Sequence, residues 1–202
     1  PNTKMICINN AHNPTGAIMD EAYLKELVAI VESCGAYILS DEVYKTFASD
    51  KNIPAIVDLY DKGISVDSLS KAYSLPGIRV GWVASNKKVT AVLRDYRDYT
   101  MICAGVFDDM LASFALKHRQ AIIQRNQEIV VDNLQILQDW LAKEPRAQAI
   151  LPDHVSTSLI KLNVPMLIET FCLKLMVCLS FLVIVLISRG MFVWVIVVIR
   201  RF

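Results

Sequence analysis

The stretch Ser68-Leu69-Ser70-Lys71-Ala72-Tyr73-Ser74-Leu75-Pro76-Gly77-Ile78-Arg79-Val80-Gly81-Trp82 sets one lysine among small hydroxyl side chains, with a glycine and an arginine after it. An amine that condenses with an aldehyde must first lose its proton near neutral pH, and burial or a neighbouring cation lowers a lysine pKa enough for that. Arg79 can supply the nearby charge. Ser68 and Ser70 can hydrogen-bond a phosphate, and Arg79 can grip it with a planar fork. Together these residues suit a phosphorylated aldehyde. They equally suit a serine-rich turn followed by a buried strand from Arg79 to Ser85.

Two other segments carry polar groups of matching chemistry. Asp41 follows the apolar run Ala36 to Ser40, and a carboxylate there can pair with a protonated ring nitrogen, making a pyridine ring a better electron sink. Tyr44, three residues on, can hydrogen-bond a phenolic oxygen of such a ring, and the amide of Asn13 can donate to the same oxygen. Asn13 also fits a turn former, Asp41 a helix cap and Tyr44 a half-buried aromatic.

The elements that must hold these groups follow from punctuation and periodicity. Met5 to Ile8 reads as a buried strand entering the turn Asn13-Pro14-Thr15-Gly16. Asp20 opens a helix whose apolar stripe is Leu24, Leu27, Val28 and Val31, and Cys34-Gly35 closes it. Ala36 to Ser40, Ile64 to Leu69 and Arg79 to Ser85 read as further strands. Strands without polar faces, alternating with a helix, predict a largely parallel sheet covered on both sides, with ligands outside the carboxyl ends of its strands. Lys87 to Arg97 reads as an amphipathic helix, and Asp108 to Lys143 as a helix pair or one long connecting helix, closed by Pro145. Leu151 to Val164 reads as a strand of a new, smaller unit.

Composition narrows the classes. Over 202 residues, 21 basic and 20 acidic side chains leave a net charge of +1, which gives no electrostatic footprint for nucleic acid. The five cysteines, Cys7, Cys34, Cys103, Cys172 and Cys178, have neither disulfide-framework nor zinc spacing, so a reducing cytoplasm is expected and no metal. His118 and His154 form no triad, and His12 reads as a loop residue. Pro1 to Lys4 opens almost directly onto a strand, has no signal peptide, and reads as a cut edge.

Three motifs in order, Asn13-Pro14-Thr15-Gly16, Ser40-Asp41-Glu42-Val43-Tyr44 and Ser68-Leu69-Ser70-Lys71 with Arg79, give a sequence that resembles the class I/II aminotransferases from about Ile6 to about Met176. These are fold type I enzymes that use pyridoxal 5'-phosphate. The resemblance implies an α/β fold: the C-terminal part of a large domain with a mostly parallel sheet and flanking helices over residues 1–145, then the start of a small α+β domain over 146–176. It implies that Lys71 is the catalytic residue, forming the Schiff base and moving a proton between substrate and cofactor. It implies that Asn13, Asp41, Tyr44, Ser68, Ser70 and Arg79 bind the cofactor, that amino acids and 2-oxo acids are the substrates, and that the complete enzyme is a homodimer. Elimination or decarboxylation by another fold type I enzyme uses the same set, and a noncatalytic, membrane-anchored remnant is a third reading.

The chain departs from the family twice. The part that carries the glycine-containing phosphate loop and the aromatic stacked on the ring is missing, so this stretch by itself is expected to be inactive. Residues 177–202 are almost without charge, yet the apolar run Leu175 to Ile187 is shorter than the about 20 residues that span a bilayer. Extending that run would bury Arg189, so a membrane segment is not expected. Joining the last base of each codon to the first two of the next permits Pro-Gly-Tyr-Arg-Phe-Asp-Ile-Glu-Gly-Tyr-Val-Arg-Leu-Gly-Tyr across Phe181 to Ile196. This is similar to the family's own segment, whose Val-Arg-Leu-Gly arginine binds the substrate carboxylate. The tail is therefore expected to be frameshifted, with that arginine lost.

Overall fold

Asp20 starts the first helix because its side chain accepts the Tyr23 N–H at 2.9 Å, satisfying a donor that the helix cannot. The computed structural model containing this helix describes residues 2–152, 155–162, 182–188 and 191–196. His154, Cys172, Cys178, Arg189 and the remainder of the apolar tail lie outside the described residues. The helix, α1 (Glu21–Ser33), turns Leu24 and Val31 onto strand β2 (Tyr37–Asp41). Ala36, Ile38, Ile56 and Tyr60 complete that core, with Ile6 and Ile8 of β1 (Met5–Asn9) packed against it. The Tyr60 hydroxyl reaches the Ala36 carbonyl at 2.8 Å, so the buried phenol has its partner.

β1 and β2 pair in parallel, and β2 pairs in parallel with β3 (Gly63–Ser68). The fourth strand, β4 (Gly81–Ser85), runs antiparallel to β3, giving the order β1-β2-β3-β4. The sheet is thus mostly parallel, as expected, with a reversed last strand. The expected buried strand from Arg79 is shorter and more exposed. Pro76–Ile78 forms a short turn of helix, Arg79 ends it at φ 53°, and Trp82 and Val83 are 38% and 42% exposed at the end of the strand order. Gly81 opens β4 because a Cβ there would lie 2.7 Å from the Asp67 carbonyl oxygen.

Helix α3 (Lys87–Arg97) begins at Asn86, whose side chain accepts from Val89 N. The long apolar periodicity beyond it resolves into a pair, α4 (Val106–Lys117) and α5 (Arg119–Leu141), broken at His118. No helix among the described residues is long and apolar enough to cross a membrane.

Backbone contacts divide the chain into two units, Pro1–Ala11 with Ile18–Asn126, and His12–Ala17 with Gln127–Phe202. The second contains an antiparallel sheet of order β5-β6-β8-β7, made by Ala147–Ile150, Ser158–Leu162, Met191–Ile196 and Leu182–Ser188 respectively. The expected strand Leu151 to Val164 is confined to β6 within the described residues; Pro152 has no N–H for a ladder. Gly16 of this unit packs so closely that a Cβ would meet Pro152 Cβ at 2.1 Å.

Glu42, the residue after β2, ties the first unit together. Its carboxylate accepts Ile56 N at 2.9 Å, Ser65 Oγ at 3.0 Å and Lys45 Nζ at 2.5 Å. One buried charge thereby joins the end of β2, the Lys45–Lys51 helical turn, the start of α2 (Ile56–Leu59) and the middle of β3. Removing one member of such a pair strands the other and the donors around it. Glu42→Ala is expected to destabilise the protein by about 3 kcal/mol, near the lower end for broken buried pairs because Lys45 keeps some solvent contact. Urea unfolding with a lower midpoint and unchanged slope checks this.

Candidate functional site

Asp41 is the last residue of β2, and the chain then leaves the sheet through Glu42 and Val43 to Tyr44. The Asp41 carbonyl oxygen accepts Asn10 N at 2.9 Å and Asn9 Nδ2 at 3.0 Å, fastening the carboxyl ends of β1 and β2 together. Its side chain accepts Val43 N at 3.2 Å. Tyr44 is buried and stacks on Phe47 at 6.5 Å. Burial, and secondarily the Asp41 charge, push the Tyr44 phenol above its ordinary pKa, so its proton stays on the oxygen.

The lysine segment leaves the neighbouring strand at the same end of the sheet. Lys71 Nζ lies 5.8 Å from the centroid of the Tyr44 ring, within cation–π range. Asp41, Tyr44 and Lys71 therefore come together at the carboxyl ends of parallel strands, where α/β sheets bind ligands. Of the two ways to lower a lysine pKa, burial and a neighbouring cation, the fold does not supply burial. Instead the Lys71 side chain is exposed while Leu69, Ala72 and Tyr73 around it are buried, because these neighbours anchor the loop and turn the amine outward.

Ser68 ends β3, and its Oγ accepts Ser70 N at 3.3 Å. Arg79 is exposed and donates from one guanidinium nitrogen to the Pro76 carbonyl at 2.7 Å, folding back over its own turn. Asn13 lies in the segment His12–Ala17, grouped with the second unit. His12 N donates to Ala17 O at 2.9 Å, and His12 Nδ1 lies 2.8 Å from Thr15 Oγ1, so this histidine serves the loop. The neck of the loop is closed by the residue that follows β1. Asn10, 2% exposed, donates to Met19 O and accepts from Met19 N, both at 2.9 Å.

The donor set offers an amine, a phenol, a carboxylate and two serine hydroxyls, which suits an aldehyde on an aromatic ring better than a cation. Among the described residues no group of three or more His, Cys, Asp or Glu side chains can hold a metal ion.

Residues 1–158 match the sequence model of the family described as Aminotransferase class I and II. The chain is 30% identical over 118 residues to an aspartate aminotransferase of Thermotoga maritima, covering 57% of this chain and 31% of that protein. It is 29% identical over 143 residues to a capreomycidine synthase of Streptomyces vinaceus, covering 69% and 36% respectively. The crystal structure of a PLP-dependent aminotransferase from Streptococcus suis superposes with a TM-score of 0.86 at 56% identity, over 95% of this chain and 52% of that one. The chain thus spans about a third to a half of the length of these relatives.

Asp67 is a further carboxylate that sequence reasoning passes over, although a charged residue inside the run Ile64 to Leu69 is the signal that marks it. Burial pushes its pKa from an ordinary 3.8 up to about 6, against the opposing pull of the Ser68 N–H and Lys45. The folded protein therefore holds a proton on Asp67 at pH values where the unfolded chain has released it. Stability falls as pH rises between those two values and stays lower above them. Asp67→Asn is expected to remove this slope and to stabilise the protein at pH 7 by about 1 kcal/mol, solvent screening at a half-buried group holding the gain below the full linkage. Urea midpoints of both proteins at pH 4 and pH 7 check the sign.

Proposed function

Because the chain belongs to the class I and II aminotransferase family and has its α/β fold, we propose that the protein moves an amino group between an amino acid and a 2-oxo acid, using pyridoxal 5'-phosphate held at Lys71. The observation that carries the proposal is the meeting of Lys71 Nζ with the Tyr44 ring beside Asp41. When bound, the cofactor supplies a conjugated ring that withdraws electrons from the substrate α-carbon.

The chain's own residues divide the remaining work. The Lys71 amine would hold the cofactor through its aldehyde carbon and, when free, would take a proton from the substrate α-carbon and return one as base and acid. The Asp41 carboxylate would hold a proton at the ring nitrogen. The Tyr44 hydroxyl would hydrogen-bond the phenolic oxygen, a role the family resemblance also gives to the Asn13 amide, while Ser68, Ser70 and Arg79 would bind the phosphate.

Exposure of Arg79 and Lys71 is compatible with groups that meet ligands. The Asn10–Met19 clasp brings together the two points where the chain leaves and re-enters the first unit around Asn13.

The proposal extends to a homodimer in the cytoplasm, supported by the family resemblance and by free cysteines at Cys7, Cys34 and Cys103. The proposed organisation is a large domain over 1–145, the start of a small one over 146–176, and a frameshifted tail over 177–202. The amino transfer is assigned to the complete protein, and this stretch alone is read as inactive.

Purified complete protein supplied with the cofactor, an amino donor and a 2-oxo acceptor is expected to form the new amino acid. Lys71→Ala is expected to lower kcat by about 10²- to 10⁴-fold, the usual worth of a positioned acid–base group. Retention of kcat within about tenfold would contradict the role of Lys71. Release of ammonia or carbon dioxide in place of transfer would contradict the reaction.

A further inference from the structure

Asn126 breaks the apolar pattern of α5 at a place where helical spacing faces inward. Ile122, Asn126 and Val130 recur at intervals of four, and Asn126 is only 4% exposed. A buried amide requires partners. Its Nδ2 donates to the Ala72 carbonyl oxygen at 2.8 Å across 54 residues, and its Oδ1 accepts from Arg125 Nη1 at 3.0 Å. This arrangement also fixes the orientation of the amide. Reversing it would turn oxygen toward the Ala72 carbonyl and NH₂ toward a guanidinium, each a repulsive pairing.

Ala72 immediately follows Lys71 and is itself buried. The rest of the loop is held by its own backbone: Leu69 N donates to Val80 O at 3.1 Å, Leu75 N to Leu69 O at 3.0 Å, and Ser74 N to Lys71 O at 2.9 Å. Ser74 takes the left-handed conformation at φ 56°, which a serine adopts only when its surroundings impose it. The Asn126 bond ties this turn to a helix distant in sequence. Without it, the Ala72 carbonyl would be buried without that partner, and the peptide carrying Lys71 would rotate to recover one.

We propose that Asn126 is a positioning residue for Lys71, setting the direction of the amine through the Ala72 carbonyl. The inference rests on the reading of Lys71 as the cofactor-bearing amine. A displacement of about 1 Å at a reacting group costs on the order of a hundredfold in rate, so a bond that fixes the adjacent peptide acts on the chemistry without touching it.

The test compares the complete protein with Asn126→Ala and the isosteric Asn126→Asp, the latter serving if the alanine variant does not fold. Hydrogen exchange at the Ser74 and Leu75 amides is expected to quicken about tenfold in each variant, while the amides of Ile38, Ser40 and Ser65 stay within about twofold. In the same proteins loaded with pyridoxal phosphate, the pH midpoint of the cofactor absorbance change is expected to move by about half a unit. Unchanged exchange at Ser74 and Leu75 would overturn the proposal. So would an equal rise across loop and sheet, which marks a general loss of stability, or local quickening with an unmoved midpoint. If the parent protein takes up no cofactor at Lys71, the functional reading fails, whereas the exchange pattern still reports separately on the clamp.

Discussion

A buried carboxylate has to be surrounded by donors, and the first unit is arranged around that demand at Glu42. Charge removed from water costs several kcal/mol unless hydrogen bonds replace hydration. Here the donors come from the Ile56 N–H, Ser65 and Lys45, which belong to three different segments. The consequence reaches the site through chain connectivity. Asp41 precedes Glu42 and Tyr44 follows two residues later, so fixing Glu42 fixes both ends of a short tether. The Asp41 carbonyl, clasped by Asn9 and Asn10, holds the other side. Tyr44 then has little freedom beneath the Lys71 amine.

The lysine loop depends on a second constraint of the same kind, with carbonyls in place of a carboxylate. A turn that leaves the end of a strand must satisfy its own backbone groups, and this one does so with Val80, Leu69, Lys71 and Asn126. Anchoring residues Leu69, Ala72 and Ile78 point inward, which leaves the Lys71 side chain outside. Rigid support below and an accessible amine above follow from one pattern of alternating burial.

Much of this was legible in local chemistry. Asp20 announced α1, Cys34-Gly35 its end, and apolar runs announced β1, β2 and β3 to within a residue or two. The order of Asn13, Asp41, Tyr44 and Lys71 points to one cofactor because an amine, a carboxylate and two groups for a phenolic oxygen answer to different parts of it. What escaped was set by pairing across long sequence distances. Glu42 lies inside the Ser40 to Tyr44 motif, yet nothing in its neighbours reveals Ile56 or Ser65. Nothing near Asn126 in the sequence distinguishes it from other polar residues of α5, because its partner, the Ala72 carbonyl, lies 54 residues away. The reversal of β4 and its exposed Trp82 likewise depend on strand order, which apolar content does not encode.

The central claim is that Lys71, and no other amine, receives the cofactor aldehyde. Its most direct test is borohydride reduction of the complete protein after exposure to pyridoxal 5'-phosphate, followed by mass mapping of the labelled peptide. A single reduced adduct is expected on Lys71, at about one per chain, and is expected to disappear in Lys71→Ala. A label on Lys45 or Lys62, or no label at all, would contradict it.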